Sequence, residues 1–123
     1  MSKKILIAED SSVIQNLTKK ILENQQYTII SAKNGKEVIN IVNKESIDLI
    51  LMDINMPQMD GMSCAKEIRK SSDGKIASIP LIAITGNARN YSDADFTDAG
   101  FNEFLPKPLD FDKLVELVKQ YVK

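Results

Sequence analysis

Short apolar runs alternate along this chain with segments whose apolar residues recur at helical spacing, the pattern of strands alternating with amphipathic helices. Ile5-Leu6-Ile7-Ala8 is strand-length and almost continuously apolar. Val13, Ile14, Leu17, Ile21 and Leu22 then recur with a helical period, and Ser12 with Gln15 is placed as a capping box. Residues 27–32 favour a second strand, and Asn34 with Glu37 caps a helix buried through Val38, Ile41 and Val42. Residues 47–52 read as the third strand, and 61–70 as a helix facing inward through Met62, Ala65 and Ile68. Residues 80–85 form the fourth strand, with Pro80 tolerated at its start. The helix over 90–99 is the most polar, with Ala94 and Phe96 to bury. A fifth strand over 101–105 leads to Asp110, which caps a last helix burying Leu114, Leu117, Val118 and Tyr121.

These are five βα units without repeats, linkers or low-complexity tracts. Strands so uniformly apolar are covered on both faces, which requires a parallel sheet between helices. The expectation is an α/β fold, an open, doubly wound five-stranded parallel sheet, with residues 1–123 forming one domain.

Composition narrows the chemistry. The chain has 16 Lys+Arg against 17 Asp+Glu, no histidine, no tryptophan and the single cysteine Cys64. Without histidine there is no Ser-His or Cys-His nucleophile pair, no imidazole acid–base and no His-ligated metal. One cysteine excludes an internal disulfide and a structural zinc site, and fits a reducing cytoplasm. Cys64 itself reads as a small buried residue. A net charge of -1 without basic runs argues against direct nucleic-acid binding. No apolar run is long enough for membrane insertion or for a signal peptide's central region. Carboxylates, hydroxyls, lysines and backbone must therefore supply any chemistry.

In a doubly wound sheet, ligands bind beyond the carboxyl ends of the strands, where strand order reverses. The predicted strands end there in Glu9-Asp10, Asp53 and Thr85, and the fifth is followed by Lys107. Singly, each has a plain reading: Asp10 a helix cap, Asp53 the start of a turn, Lys107 a solvated surface residue. Gathered at one rim, three carboxylates repel, by roughly 4 kcal/mol for a pair about 4 Å apart at an effective dielectric near 20. A divalent cation relieves this, and an all-oxygen site with few protein ligands suits Mg²⁺, with Mn²⁺ as a substitute. Asp10 and Asp53 would ligate directly and Glu9 directly or through water. Asp53 would then serve as a nucleophile toward a phosphoryl group, with Lys107 and the Thr85 hydroxyl on the phosphoryl oxygens.

The chain resembles the receiver domain of two-component response regulators, and the resemblance spans it from Lys4 to Tyr121. It rests on four motifs in order: Glu9-Asp10, Met52-Asp53-Ile54-Asn55-Met56-Pro57 running to Met59-Asp60-Gly61, Thr85-Gly86, and Leu105-Pro106-Lys107-Pro108. It implies a flavodoxin-like (βα)5 fold of strand order 2-1-3-4-5. It also implies that Asp53 accepts a phosphoryl group from a histidine kinase or histidine phosphotransfer protein, with Mg²⁺ on Asp10, Asp53 and the backbone carbonyl of Asn55, Glu9 assisting. Lys107 would pair with Asp53 and then with the phosphoryl oxygens, across a cis Lys107–Pro108 bond. Thr85 and the aromatic Phe104 would form the switch, and Gly86 would keep the phosphoryl site open. The fourth helix, fifth strand and fifth helix would carry the signal to a downstream protein, and slow self-hydrolysis would reset it. Such a chain is a switch rather than an enzyme turning over external substrate, a monomer when free and open to dimerisation when phosphorylated.

Three departures narrow the type: a Glu-Asp acid pair, Phe104 rather than tyrosine at the switch, and Leu109 after Lys107-Pro108. Residues 52–57 and 105–110 look most like receivers of hybrid kinases or phosphorelays, so a receiver excised from a hybrid kinase is an alternative. A haloacid-dehalogenase-type phosphatase needs an acid–base Asp two positions after its nucleophile, where this chain has Asn55. A flavodoxin-like electron carrier would need a phosphate cradle in the first loop, which here is the acidic Glu9-Asp10-Ser11-Ser12. A degenerate receiver that only binds partners is disfavoured because every position of the site is filled. The absent histidine places the chain on the aspartate side of the transfer.

Overall fold

A computed structural model describes residues 3–86 and 91–122. The elements run β1 (Lys4–Ala8), α1 (Ser12–Glu23), β2 (Thr28–Ala32), α2 (Gly35–Lys44), β3 (Leu49–Asp53), α3 (Gly61–Arg69), α4 (Gly74–Ala77), β4 (Leu81–Thr85), α5 (Asp93–Ala99), β5 (Glu103–Pro106) and α6 (Phe111–Tyr121). All five strands are parallel, in the order β2-β1-β3-β4-β5. The expected doubly wound sheet is present, and the strand order reverses between β1 and β3.

The continuous apolar runs follow from burial on both faces. Successive strand residues point to opposite sides. Leu6, Ala8, Ile50, Met52, Leu81 and Ala83 face a core closed by Val38 and Val42 of α2, Ala65 and Ile68 of α3, and Phe96 and Ala99 of α5. Ile5, Ile7, Leu49, Leu51, Ile82 and Ile84 face a second core closed by Leu22 of α1 and by Leu114 and Val118 of α6.

Several local expectations shift. The cap of α1 is Ser11, whose side chain accepts from the Ile14 amide at 3.4 Å, so the Ser12–Gln15 box is not formed. Ser12 is already helical, and Gln15 is buried against the sheet. That rotation leaves Val13 and Leu17 on the outer side, 77% and 47% exposed. The Asn34 cap forms as expected, its side chain accepting from the Glu37 amide at 2.9 Å. Asp110 likewise caps α6. Residue 90, the expected start of the polar helix, lies outside the described residues. The helix begins after a capping box of Ser92 and Asp95 and buries Phe96 and Ala99, while Ala94 is exposed. The short turn α4 between α3 and β4 was not expected, so the fourth and fifth predicted helices are α5 and α6.

Arg69, which the apolar periodicity does not single out, ties this region together. Its guanidinium donates to the carbonyls of Gly100 at 2.9 Å and of Ala77 and Ile79 at 2.7 Å each, and to Asn102 Oδ1 at 3.0 Å. The planar fork reaches all four, which an ammonium cannot do. Arg69→Met strands three carbonyls and should lower unfolding free energy by about 2–4 kcal/mol. Arg69→Lys should recover only part of this, as read by urea unfolding with an unchanged slope.

Candidate acidic phosphoryl-transfer site

The carboxyl ends of β1 and β3 bring Glu9, Asp10 and Asp53 together at the point where strand order reverses. One carboxylate oxygen of each lies within 4.8 Å of the others. Asp53 ends β3 and is 2% exposed, Glu9 is 4% exposed, and Asp10 is exposed at the rim. Lys107, just past β5, extends into the group: its Nζ lies 3.1 Å from Asp53 Oδ2 and 3.5 Å from Glu9 Oε1. The Lys107–Pro108 peptide bond is cis.

Backbone donors fix the other carboxylate oxygens. The Asn55 amide donates to Asp53 Oδ1 at 3.1 Å, and the Ser11 amide to Glu9 Oε2 at 3.1 Å. Asp53 is therefore held on one oxygen by a cation and on the other by the loop that follows it. Asn55 itself is exposed beside it.

Crowding shows in the protonation of Glu9. Burial, and then a hydrogen bond to Asp53 with the charge of that carboxylate, push the Glu9 carboxyl from 4.5 up to about 7, against the opposing pull of the Ser11 amide and Lys107. Burial disfavours the Lys107 charge, but Asp53 and Glu9 more than offset it, and its pKa lies above the ordinary lysine value. The donor set is all oxygen, anionic and short of positive charge, and it fits a hard divalent cation such as Mg²⁺.

The neighbouring strands supply the remaining residues. Thr85 ends β4 and is 1% exposed, and its carbonyl accepts from the Lys107 amide at 2.8 Å. A side chain built at Gly86 would meet only Lys107 Cδ, at 3.7 Å, so the space over the lysine stem is open. Phe104, on β5 opposite Ala83, is half-buried and stacked on Phe96 with ring centroids 4.8 Å apart. Every residue expected at the rim from the sequence is thus at or beside one edge of the sheet.

Two contributors escape a reading by residue chemistry. Gly61 opens α3 directly beneath the end of β3: a Cβ there would stand 2.6 Å from the Asp53 carbonyl oxygen, so only glycine lets α3 start so close. Its signal in the sequence is its place in Met59-Asp60-Gly61. Ser11 is the other, capping α1 and holding Glu9 at once. Cys64 is fully buried, its thiol pushed up to about 12 by burial and then by Asp60 and Glu67, so it is unreactive near neutral pH.

The fold and the acidic edge with its lysine define a doubly wound α/β domain with a charged site at the carboxyl end of its sheet, and comparison with known proteins gives the family. Residues 5–119 match the response regulator receiver domain, and the chain belongs to that family. It is 35% identical over 98% of its length to the CAI-1 autoinducer sensor kinase/phosphatase CqsS of Vibrio cholerae serotype O1, of which it spans 17%. It is 29% identical to the polar-differentiation response regulator DivK of Brucella anthropi, over 99% of the chain and 98% of that protein. Among solved structures it resembles the receiver domain of the sensor histidine kinase PA1611 from Pseudomonas aeruginosa PAO1, which has a magnesium ion coordinated in its active-site cleft. That match has a TM-score of 0.88 and 28% identity and covers 98% of both chains. Receiver domains are signalling switches of two-component systems, occurring in both response regulators and hybrid kinases, and they bind Mg²⁺ at an acidic pocket. None of the helices among the described residues is long and apolar enough to cross a membrane.

Proposed function

We propose that residues 1–123 form one receiver domain in which Asp53 accepts a phosphoryl group from the phosphohistidine of a histidine kinase or phosphotransfer protein. The observation that carries this is the buried Asp53 carboxylate, with Lys107 at 3.1 Å and two further carboxylates within 4.8 Å at the strand-order reversal. A carboxylate oxygen of Asp53 bonds to phosphorus as the phosphorus–nitrogen bond breaks, and the imidazole leaves with the electron pair. Glu9, Asp10, Asp53 and the Asn55 carbonyl would hold Mg²⁺, which offsets the charge of the approaching phosphoryl oxygens. Lys107 pairs with Asp53 before transfer and moves onto a phosphoryl oxygen after it. The Thr85 hydroxyl turns to another, and Gly86 leaves the approach clear.

Thr85 and Phe104 lie on neighbouring strands, and Phe104 rests on Phe96 of α5, so a shift of Thr85 changes the face built by α5, β5 and α6. That face then binds or releases a downstream protein, and slow hydrolysis of the aspartyl phosphate resets it. The chain works as a cytoplasmic switch without turnover on small phosphate esters, because Asn55 stands where an acid–base would be needed. The similarity to CqsS supports a second reading, a receiver belonging to a hybrid kinase, with the same site chemistry.

Incubation with a panel of autophosphorylated histidine kinases and phosphotransfer proteins tests this reading. Radiolabel should pass to the chain only with Mg²⁺, in an alkali-labile form typical of an acyl phosphate; label that persists in excess chelator would refute it. Leu17→Asp should slow transfer from the protein donor but leave uptake from acetyl phosphate unchanged, because Val13 and Leu17 are exposed on α1 just after Asp10. Thr85→Ala should still be phosphorylated yet lose most of the phosphorylation-dependent change in partner affinity. Equal gains in affinity for Thr85→Ala and wild type would remove Thr85 from the switch.

A further inference from the structure

Gln15 occupies the place where the strands that carry the acidic site come apart. It lies on α1 with its side chain turned to the sheet and is 7% exposed. Its Nε2 lies within hydrogen-bond distance of three main-chain carbonyls, those of Ile7 at 3.0 Å, Ala32 at 3.1 Å and Glu9 at 3.3 Å, so its two N–H groups serve all three with one hydrogen shared. The pairing of β1 and β2 ends at Ala8 and Ala32, and the last rung runs from the Glu9 amide to the Ala32 carbonyl at 3.0 Å. Beyond that rung the Glu9 carbonyl takes its hydrogen bond from the Gln15 side chain in place of a strand. This carbonyl belongs to the peptide group joining Glu9 to Asp10, so its direction sets how Asp10 leaves the sheet.

The same residue holds the other end of the loop. The Gln15 amide donates to the Ser11 carbonyl at 2.9 Å, and the Ser11 amide in turn holds Glu9 Oε2 at 3.1 Å. Residues 9–11 carry two of the three clustered carboxylates; the bond to Ser11 is the first main-chain bond of α1, which any residue at 15 but proline would make, and the side-chain hold on the Glu9 carbonyl is what glutamine adds. The donor end alone orients the side chain: Oε1 has no hydrogen-bond partner among the described residues, and turning the amide over would set that oxygen against three carbonyls. A leucine or methionine would fill the same place without burying an unpaired amide oxygen, so packing does not account for glutamine here.

We propose that Gln15 is a positioning residue for the metal-binding acid pair, holding the Glu9–Asp10 peptide group so that both carboxylates stand at the spacing a divalent cation requires. Mg²⁺ accepts little departure from octahedral geometry, so a loop free to rotate at this peptide binds it less well. This inference rests on the reading of the site as a Mg²⁺ site.

Titration calorimetry of the whole chain with magnesium chloride tests both separately. Wild type should bind one Mg²⁺, and Gln15→Met, which keeps length and loses both donors, should bind it about tenfold more weakly. Thr18→Val is the control, since the Thr18 hydroxyl is equally buried on α1 but donates only to its own helix, to the Ile14 carbonyl at 2.8 Å. It should lose stability without losing Mg²⁺ affinity. Unchanged affinity in Gln15→Met, or an equal loss in Thr18→Val, would overturn the role of Gln15 while leaving the metal site standing. No binding by wild type would overturn the metal site and this inference with it. Should Gln15→Met fail to fold, the wild type still decides by NMR: the Gln15 side-chain amide resonances should shift on Mg²⁺ saturation, and unmoved resonances overturn the proposal.

Discussion

Acetyl phosphate with Mg²⁺ will add one phosphoryl group to the wild-type chain and none to Asp53→Asn. The substitution is nearly isosteric, so it leaves the fold intact and removes only the charge and nucleophilicity of one oxygen. No other carboxylate is equivalently placed: Asp10 is exposed at the rim, and Glu9, with its carboxyl pushed up to about 7, is partly protonated at neutral pH. Among the described residues, Asp53 alone combines burial at 2% exposure with Lys107 on one oxygen and a backbone amide on the other. Intact-mass spectra read the result directly. An adduct surviving in Asp53→Asn would move the acceptor elsewhere, and no adduct in wild type would end the phosphoacceptor reading.

The second large effect is linked to metal and pH. Mg²⁺ at ten times its Kd should stabilise the fold by about 1.4 kcal/mol, since the unfolded chain has no assembled site. For a domain of this size that is roughly 5 °C in melting temperature. Asp10→Ala should lose this gain and, with one fewer like charge at the rim, melt no lower than wild type when metal-free. The folded chain holds the Glu9 proton more tightly than the unfolded one, from 4.5 up to about 7. The resulting stability is full below pH 4.5 and is lost as pH rises through about 7, on the order of 3 kcal/mol in the metal-free protein. Mg²⁺ competes with that proton, so its stabilisation should grow across the same window. Glu9→Gln should flatten the metal-free profile. Parallel profiles with and without Mg²⁺ would show that Glu9 does not face the ion.

Much of the fold was legible because its determinants are local. Ile5 to Ala8, Leu49 to Met52 and Leu81 to Ile84 are apolar throughout because helices cover both faces of the sheet, and a run so short and so apolar admits few other placements. The caps at Asn34 and Asp110 are side chains bonding their own helix, and both form as the local sequence predicts. The α1 cap was misplaced by one residue because Ser11 and Ser12 are equivalent by propensity. What separates them is how α1 must turn to lay Gln15, Thr18 and Leu22 on the sheet. That rotation exposes Val13 and Leu17, which an apolar count assigns to the core. Ala94 differs from its expected place for a similar reason: an alanine is small enough to sit on either side, and the packing of Phe96 on Phe101 and Phe104 decides the face of α5.

The sequence by itself determined the number of strands, their succession along the chain and which carboxylates, lysine and hydroxyl lie at their carboxyl ends, because strand periodicity and chain order depend only on neighbours along the chain. The tertiary structure decided what requires distance between residues remote in sequence: that Lys107 reaches both Asp53 and Glu9, that burial and Asp53 raise the Glu9 carboxyl, that Gly61 alone fits beneath Asp53, and that one glutamine closes the gap where β1 and β2 part. Electrostatic energy and steric contact vary with separation in space, and folding alone sets that separation.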